Sequence, residues 1–205
     1  MKTIFNKIYN DNAWGAGSGE GSLPKYTKAY RRFLEQFLRD KQISSVLDYG
    51  CGDWQFSQLI DWKNIQYFGV DVVDSLIERH TRMYGTKHIA FQVLHESQEH
   101  LPYAELIILK DVLQHWSHQS IQSFMPKIAN FKFIMITNCV NPTGPTANDD
   151  ISDGNFRYLD LRRPPFSYEM TKVLEFTNSS EVPSVSENLR WKKIVLLQEK
   201  IDDHV

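Results

Sequence analysis

Two short runs, Leu106-Ile-Ile-Leu109 and Phe133-Ile-Met-Ile136, are apolar at every position. A strand with one wet face alternates polar and apolar residues, whereas a continuous apolar strand must be covered on both faces. A chain holding such runs folds most simply as a parallel sheet between two helical layers. The neighbouring segments agree. ISSVLDYG (43–50), YFGVDVV (67–73), HIAFQVL (88–94), ELIILKDV (105–112) and KFIMITNCV (132–140) read as five strands.

Helical patterns separate these strands. Tyr30, Phe33, Leu34 and Phe37 recur at helical spacing between Tyr26 and Lys41. WQFSQLIDW (54–62) is expected to be a helix. DSLIERHTRMYG is expected to be another, with Asp74 as N-cap and Gly85 as stop. A fourth should run from Ser117 to Phe131, with Ile121, Phe124, Ile128 and Phe131 on one side. KVLEFTN and WKKIVLLQEK leave little room for a helix between them and suggest an antiparallel edge hairpin. The expected class is α/β, a doubly wound, mostly parallel seven-stranded sheet with that hairpin at one edge.

Composition narrows the choices. With 41% apolar and 23% charged residues, the 205-residue chain has the balance of one folded domain rather than a disordered segment. A formal net charge of −2 gives no general attraction to nucleic acid, and RRF and LRRPPF are the only short basic stretches. No apolar run approaches the about 20 residues that span a bilayer, and the N-terminus lacks the apolar core of a signal peptide. A cytoplasmic protein is expected. Cys51 and Cys139 end strands and read as small apolar residues; two cysteines make no zinc site alone.

The first strand runs directly into VLDYGCGDW. In an open parallel sheet, ligands bind beyond the carboxyl ends of the strands, where strand order reverses. Gly50 and Gly52 remove side chains where a ligand must lie against the backbone. A P-loop would need Lys-Ser or Lys-Thr, and a dinucleotide fingerprint would need a third glycine where Gln55 stands. Asp53 is expected at the start of the next helix, an anion where a pyrophosphate would otherwise sit. Such an entrance favours a ligand carrying positive charge.

With these residues the chain resembles the class I S-adenosylmethionine-dependent methyltransferases, a Rossmann-like fold. LDYGCGDW matches their first motif, with Asp48, Gly50 and Gly52 in place. FGVDVVDSLIERH matches the second: Asp71 follows Asp48 by 23 residues, where the family's acidic residue accepts hydrogen bonds from the ribose hydroxyls, with Val72 beside it. LPYAELIILKDVLQHW is similar to the fourth-strand motif and would set Lys110, Asp111 and Val112 near the sulfonium. The resemblance covers residues 43–140. After the third strand the family often carries an acidic residue near the adenine; here Leu94, His95 and Glu96 are the candidates. The glycine-rich leader and the LDLRRPPF region look like a group of small bacterial methyltransferases.

The resemblance implies S-adenosylmethionine as cofactor and methyl transfer to a small or medium-sized acceptor, expected at oxygen, with no nucleic-acid or membrane partner. Non-catalytic alternatives are a cofactor-binding module serving a partner protein; a nicotinamide oxidoreductase is the other alternative. His115 is the candidate base, with Asp111 beside it and Asp149 and Asp160 as substitutes. A histidine so placed can also simply bond a carbonyl. Asp71 could instead cap a helix. Trp14, in the Gly/Ser-rich loop 11–24, could fold over the cofactor or anchor the loop.

The long polar segment 141–165 interleaves charge with aromatic residues, so Asp149, Asp150, Arg157, Asp160 and Arg162 are candidates for contacting the acceptor; a pinned surface loop would look the same. Asp149, Asp150 and Asp153 could hold a divalent ion, but nothing requires one. Asn138 to Pro142 does not match the Asn-Pro-Pro-aromatic motif of amino-methylating enzymes, because it follows the fifth strand. The expected plan is a single domain, 1–205: a lid-like leader and helix (1–42), a cofactor core (43–140), a substrate loop (141–165) and closing strands (166–205).

Overall fold

The computed structural model describes residues 1–95 and 101–200. Glu96 therefore lies outside the described residues. Seven strands form one sheet: β1 (Ser45–Tyr49), β2 (Gln66–Asp71), β3 (Ile89–Val93), β4 (Leu106–Lys110), β5 (Phe133–Val140), β6 (Thr171–Thr177) and β7 (Lys192–Glu199). Their order is β3-β2-β1-β4-β5-β7-β6. The first five are parallel, and β7 runs antiparallel between β5 and β6. The expected class and the edge hairpin are both present. Strand order reverses between β1 and β4, so the ligand crevice of such a sheet lies beyond their carboxyl ends.

Every residue of β4 and β5 is buried. Alternate side chains serve opposite faces. Leu47, Ile107 and Leu109 join Ile121, Phe124, Met125 and Ile128 of α4 (His118–Ile128). Val46, Leu106 and Ile108 join Tyr30, Leu34, Phe37 and Leu38 of α2 (Lys28–Asp40), and Ile77 of α3 (Asp74–Tyr84). No helix separates β5 from β6. Instead Leu159, Leu161, Phe166 and Met170 reach into the first cluster and supply the apolar face a helix would have brought.

Four local expectations need correction. Residues 54–62 hold only a 3-10 turn at Ser57–Leu59. Trp54, Phe56, Ile60 and Trp62 are all buried, at spacings of two and four that no helical stripe satisfies. Trp54 adopts a left-handed φ of 61°. Asp53 consequently starts no helix. Asp74 is the first helical residue rather than the cap, which is Val73, and its carboxylate pairs with Lys2 at 2.9 Å. The expected helix over Ser117–Phe131 ends at Ile128, with Ser117 as a cap accepting from the Ser120 N–H. A helix not anticipated, α1, spans Lys2–Asn10.

Under the glycine turn, a buried polar relay replaces the missing helix. Trp54 Nε1 donates to the Tyr67 hydroxyl (2.8 Å), which donates to Asp48 Oδ2 (2.5 Å). Burial pushes the Asp48 carboxyl up to about 6, against the pull of the Tyr67 and Ser57 hydroxyls. Asp48 thus keeps its proton in the folded chain at pH values where the unfolded chain has lost it. Its contribution to stability is full below about pH 4 and is lost as pH rises through about 6. Asp48→Asn removes that titration. The melting temperature of the variant relative to wild type should therefore climb between pH 4 and pH 7 in calorimetry; a constant difference would show that Asp48 does not titrate there.

Candidate functional site

The turn after β1 is tied to β2 by two bonds to one carbonyl: the Gly50 and Cys51 N–H groups both donate to Val70 O, at 2.8 and 3.1 Å. Gly50 and Gly52 have φ of 73° and 57°, the region that favours glycine. A Cβ on Gly50 would lie 2.7 Å from a Val112 methyl. Asp71, ending β2, accepts from the Gly52 N–H at 3.0 Å and from the Val73 N–H at 3.1 Å. Burial raises its pKa, with these amide donors opposing the shift. Each carboxylate oxygen retains acceptor capacity beyond its one amide.

Above this turn lies a cavity beyond the carboxyl ends of β1 and β4. Its wall includes Asp48, Gly50, Gly52, Asp71 and Val72 from the first two strand ends. Lys110, Asp111 and His115 enter from the end of β4, and Trp14 from the leader. His95 lies off this wall, on an open groove that meets the cavity at Leu94, Val72 and Trp116.

The sequence reading missed the α1 part of the wall, Met1, Phe5 and Tyr9, although Ile4, Phe5, Ile8 and Tyr9 do repeat at helical spacing. It also missed Ser18, which reciprocates with Asp53. The Ser18 N–H donates to Asp53 Oδ2, and the Asp53 N–H donates to Ser18 Oγ, both at 2.8 Å. Tyr9 OH lies 2.6 Å from Ser18 Oγ. Asp53, expected to guard a helix N-terminus, instead fastens the leader over the glycine turn.

Lys193 from β7 carried no sequence signal. It and Lys110 both donate to Asp111 Oδ2, at 2.5 and 2.6 Å, and Lys110 also holds the Gly21 carbonyl at 3.0 Å. Burial works against ionisation of Asp111, but the two ammonium groups outweigh it and hold the carboxyl below its usual range. Burial pushes Lys110 down to about 8, with Asp111 opposing. Asp111 Oδ1 is buried with no partner among the described residues, leaving one oxygen uncommitted at the cavity.

His115 stacks against Trp14, ring centroids 4.7 Å apart. Its Nδ1 lies 2.9 Å from Asn155 O. A carbonyl only accepts, which assigns the proton to Nδ1 and leaves Nε2 with its lone pair. Gln114 Nε2 approaches that nitrogen at a long 3.4 Å. Burial lowers the His115 pKa, so the ring is neutral at pH 7.

The charged residues of the 141–165 loop lie off the cavity wall. Asp150 Oδ1 accepts from the His118 and Ile151 N–H groups. Arg157 is buried, donates to Asp149 O and places Nη1 3.8 Å from Asp150. Asp160 and Arg162 close a bidentate pair at 3.0 and 2.8 Å. The loop instead reaches His115 through the Gly154 N–H, Asn155 O and the Phe156 ring. Among the described residues, no His, Cys, Asp or Glu group is placed to hold a metal, and no helix is long and apolar enough to cross a membrane.

The donor set fits S-adenosylmethionine. A carboxylate with spare acceptor capacity ends β2, two glycines clear the floor, and cavity-lining Asp111 keeps one oxygen without a partner among the described residues, a set suited to a ligand that is cationic at sulfur. No curated protein sequence matches the chain. Similar crystal structures include the 1,6-didemethyltoxoflavin-N1-methyltransferase of Burkholderia thailandensis with its acceptor and S-adenosylhomocysteine. It has a TM-score of 0.63 at 13% identity, covering 97% of this chain and 87% of that one. The magnesium protoporphyrin IX methyltransferase of Synechocystis PCC 6803 with S-adenosylhomocysteine gives 0.61 at 12%, covering 97% and 100%. At such identities they show the fold. A family model for a methyltransferase domain matches residues 47–131. That match spans the glycine turn, Asp71 and the end of β4, so the chain carries a methyltransferase domain, similar in fold to S-adenosylmethionine-dependent methyltransferases of class I.

Proposed function

We propose that this enzyme methylates a small acceptor at oxygen, with His115 as the base. The cofactor supplies an electrophilic methyl group on a sulfonium; the protein's part is alignment and proton handling. Asp71 accepts the ribose hydroxyls, Gly50, Gly52 and Val72 lie along the adenosyl group, and Lys110 and Asp111 border the methionine end. His95 serves the adenine side from the adjoining groove. The observation that carries the acceptor reading is His115 itself, a neutral ring on the cavity wall whose Nε2 lone pair has, among the described residues, one long hydrogen-bond contact.

The cover formed by α1 and the leader supports a small acceptor, since a macromolecule would have to displace it. The acceptors named for the two neighbours are small molecules as well. In this plan residues 1–42 cover, 43–140 hold the cofactor, 141–165 shape the acceptor end and 166–205 close the sheet, all as one domain. Asp149, Asp150, Arg157, Asp160 and Arg162 act by building the loop that presents Phe156 and Tyr158, which are 51% and 37% exposed. We place the enzyme in the cytoplasm, where its two free, buried cysteines stay reduced.

Two measurements test this reading. Asp71→Ala should weaken S-adenosylhomocysteine binding by about 1–3 kcal/mol in calorimetry, the cost of leaving bonding groups unpaired; unchanged affinity would put the ribose elsewhere. For an acceptor identified by mass spectrometry of metabolites methylated by the pure enzyme, His115→Asn should lower kcat about 10²–10⁴-fold while cofactor affinity holds. The acid limb of the wild-type rate profile should fall below the usual histidine value of about 6.5, because burial lowers the His115 pKa. Full activity of the variant would move the role to Asp111, whereas a limb above that value would exclude both groups, since Asp111 is held below the usual carboxylate range.

A further inference from the structure

The glycine turn lacks the support that a following helix would provide. In a strand–turn–helix unit, the first carbonyls of the helix accept from amides four residues on. Here the chain after Gly52 is irregular, with a left-handed Trp54 and only a 3-10 turn at Ser57–Leu59. Side chains of α3 take over. His80 Nε2 lies 2.8 Å from Gly52 O, and Arg79 Nη2 lies 3.3 Å from Asp53 O. The amides of the same two residues are held by Asp71 and Ser18. Both N–H groups and both carbonyls of residues 52–53 are therefore fixed by side chains.

His80 is the buried member of this set. It is 0% exposed and sits among rings, with Phe91 at 5.2 Å, Tyr84 at 5.9 Å and Trp54 at 6.4 Å between centroids. A carbonyl partner requires the proton on Nε2, which leaves Nδ1 bare, and Nδ1 is buried with no partner among the described residues. A phenyl ring would fill this aromatic box without stranding a polar atom, so packing gives no reason for an imidazole here. The bond to Gly52 does. We propose that His80 is a positioning residue for the cofactor: it stands in for the absent helix by holding the Gly52 carbonyl, and so keeps the cavity floor in its left-handed form.

The test compares wild type, His80→Phe and His80→Gln by titration calorimetry with S-adenosylhomocysteine and by thermal unfolding. Gln can set an amide N–H where Nε2 stands; Phe cannot. His80→Phe should fold cooperatively yet bind about tenfold more weakly, the size of one hydrogen bond, and His80→Gln should recover to within about threefold of wild type. Wild-type affinity in His80→Phe, or no recovery in His80→Gln, overturns the proposal, as does a change in melting temperature with no change in affinity. Should His80→Phe fail to fold, nitrogen-15 NMR of the wild-type ring decides: a neutral ring protonated at Nε2 is expected. Protonation at Nδ1 overturns the proposal, because a bare Nε2 cannot donate to a carbonyl.

Discussion

The site depends on the pair of amides, Gly50 and Cys51, that share the Val70 carbonyl. They bend the chain out of β1 while keeping it fastened to β2, so the turn and Asp71 cannot drift apart. The Gly52 amide then closes a second bond to Asp71 itself. A floor made of main chain with positive φ and a wall made of a carboxylate follow from three hydrogen bonds between adjacent strands. The crevice exists because β1 and β4 carry their connections to opposite sides.

At the end of β4 two buried lysines share one carboxylate. Asp111 lies between Lys110 and Lys193, and both lysines approach the Gly21 carbonyl. A cluster buried this deeply holds only while its polar partners stay in place. The leader therefore belongs to the electrostatics of the site as well as to its cover. Gly21 permits this contact, since a Cβ there would lie 2.2 Å from Lys193 Nζ.

Much of this was legible in the sequence. Leu106–Leu109 and Phe133–Ile136 announced buried parallel strands because burial on both faces leaves no alternative pattern. Asp48, Gly50, Gly52 and Asp71 were legible because turn and strand ends fix their spacing locally. Lys193 was not, since a lysine near the start of a strand ordinarily faces water; the pairing of β7 between β5 and β6 buries it. His80 was hidden for a similar reason, being one polar residue in an ordinary helix. Residues 54–62 misled because an apolar stretch between two strands invites a crossover helix, while the spacing of its rings suits a chain wrapped around them. The acidic and basic residues of the 141–165 loop drew attention by number, yet their charges are mostly spent on one another and on α4 amides.

The short first helix touches two things at once. Tyr9 reaches Ser18 over the glycine turn, and Ile4 lies so near Gly154 that a methyl added there would sit 2.5 Å from Ile4 Cγ2. The leader over the glycine turn and the segment backing His115 are thereby joined through one short helix. A substitution that shifts α1 therefore reaches the glycine turn and the His115 segment together.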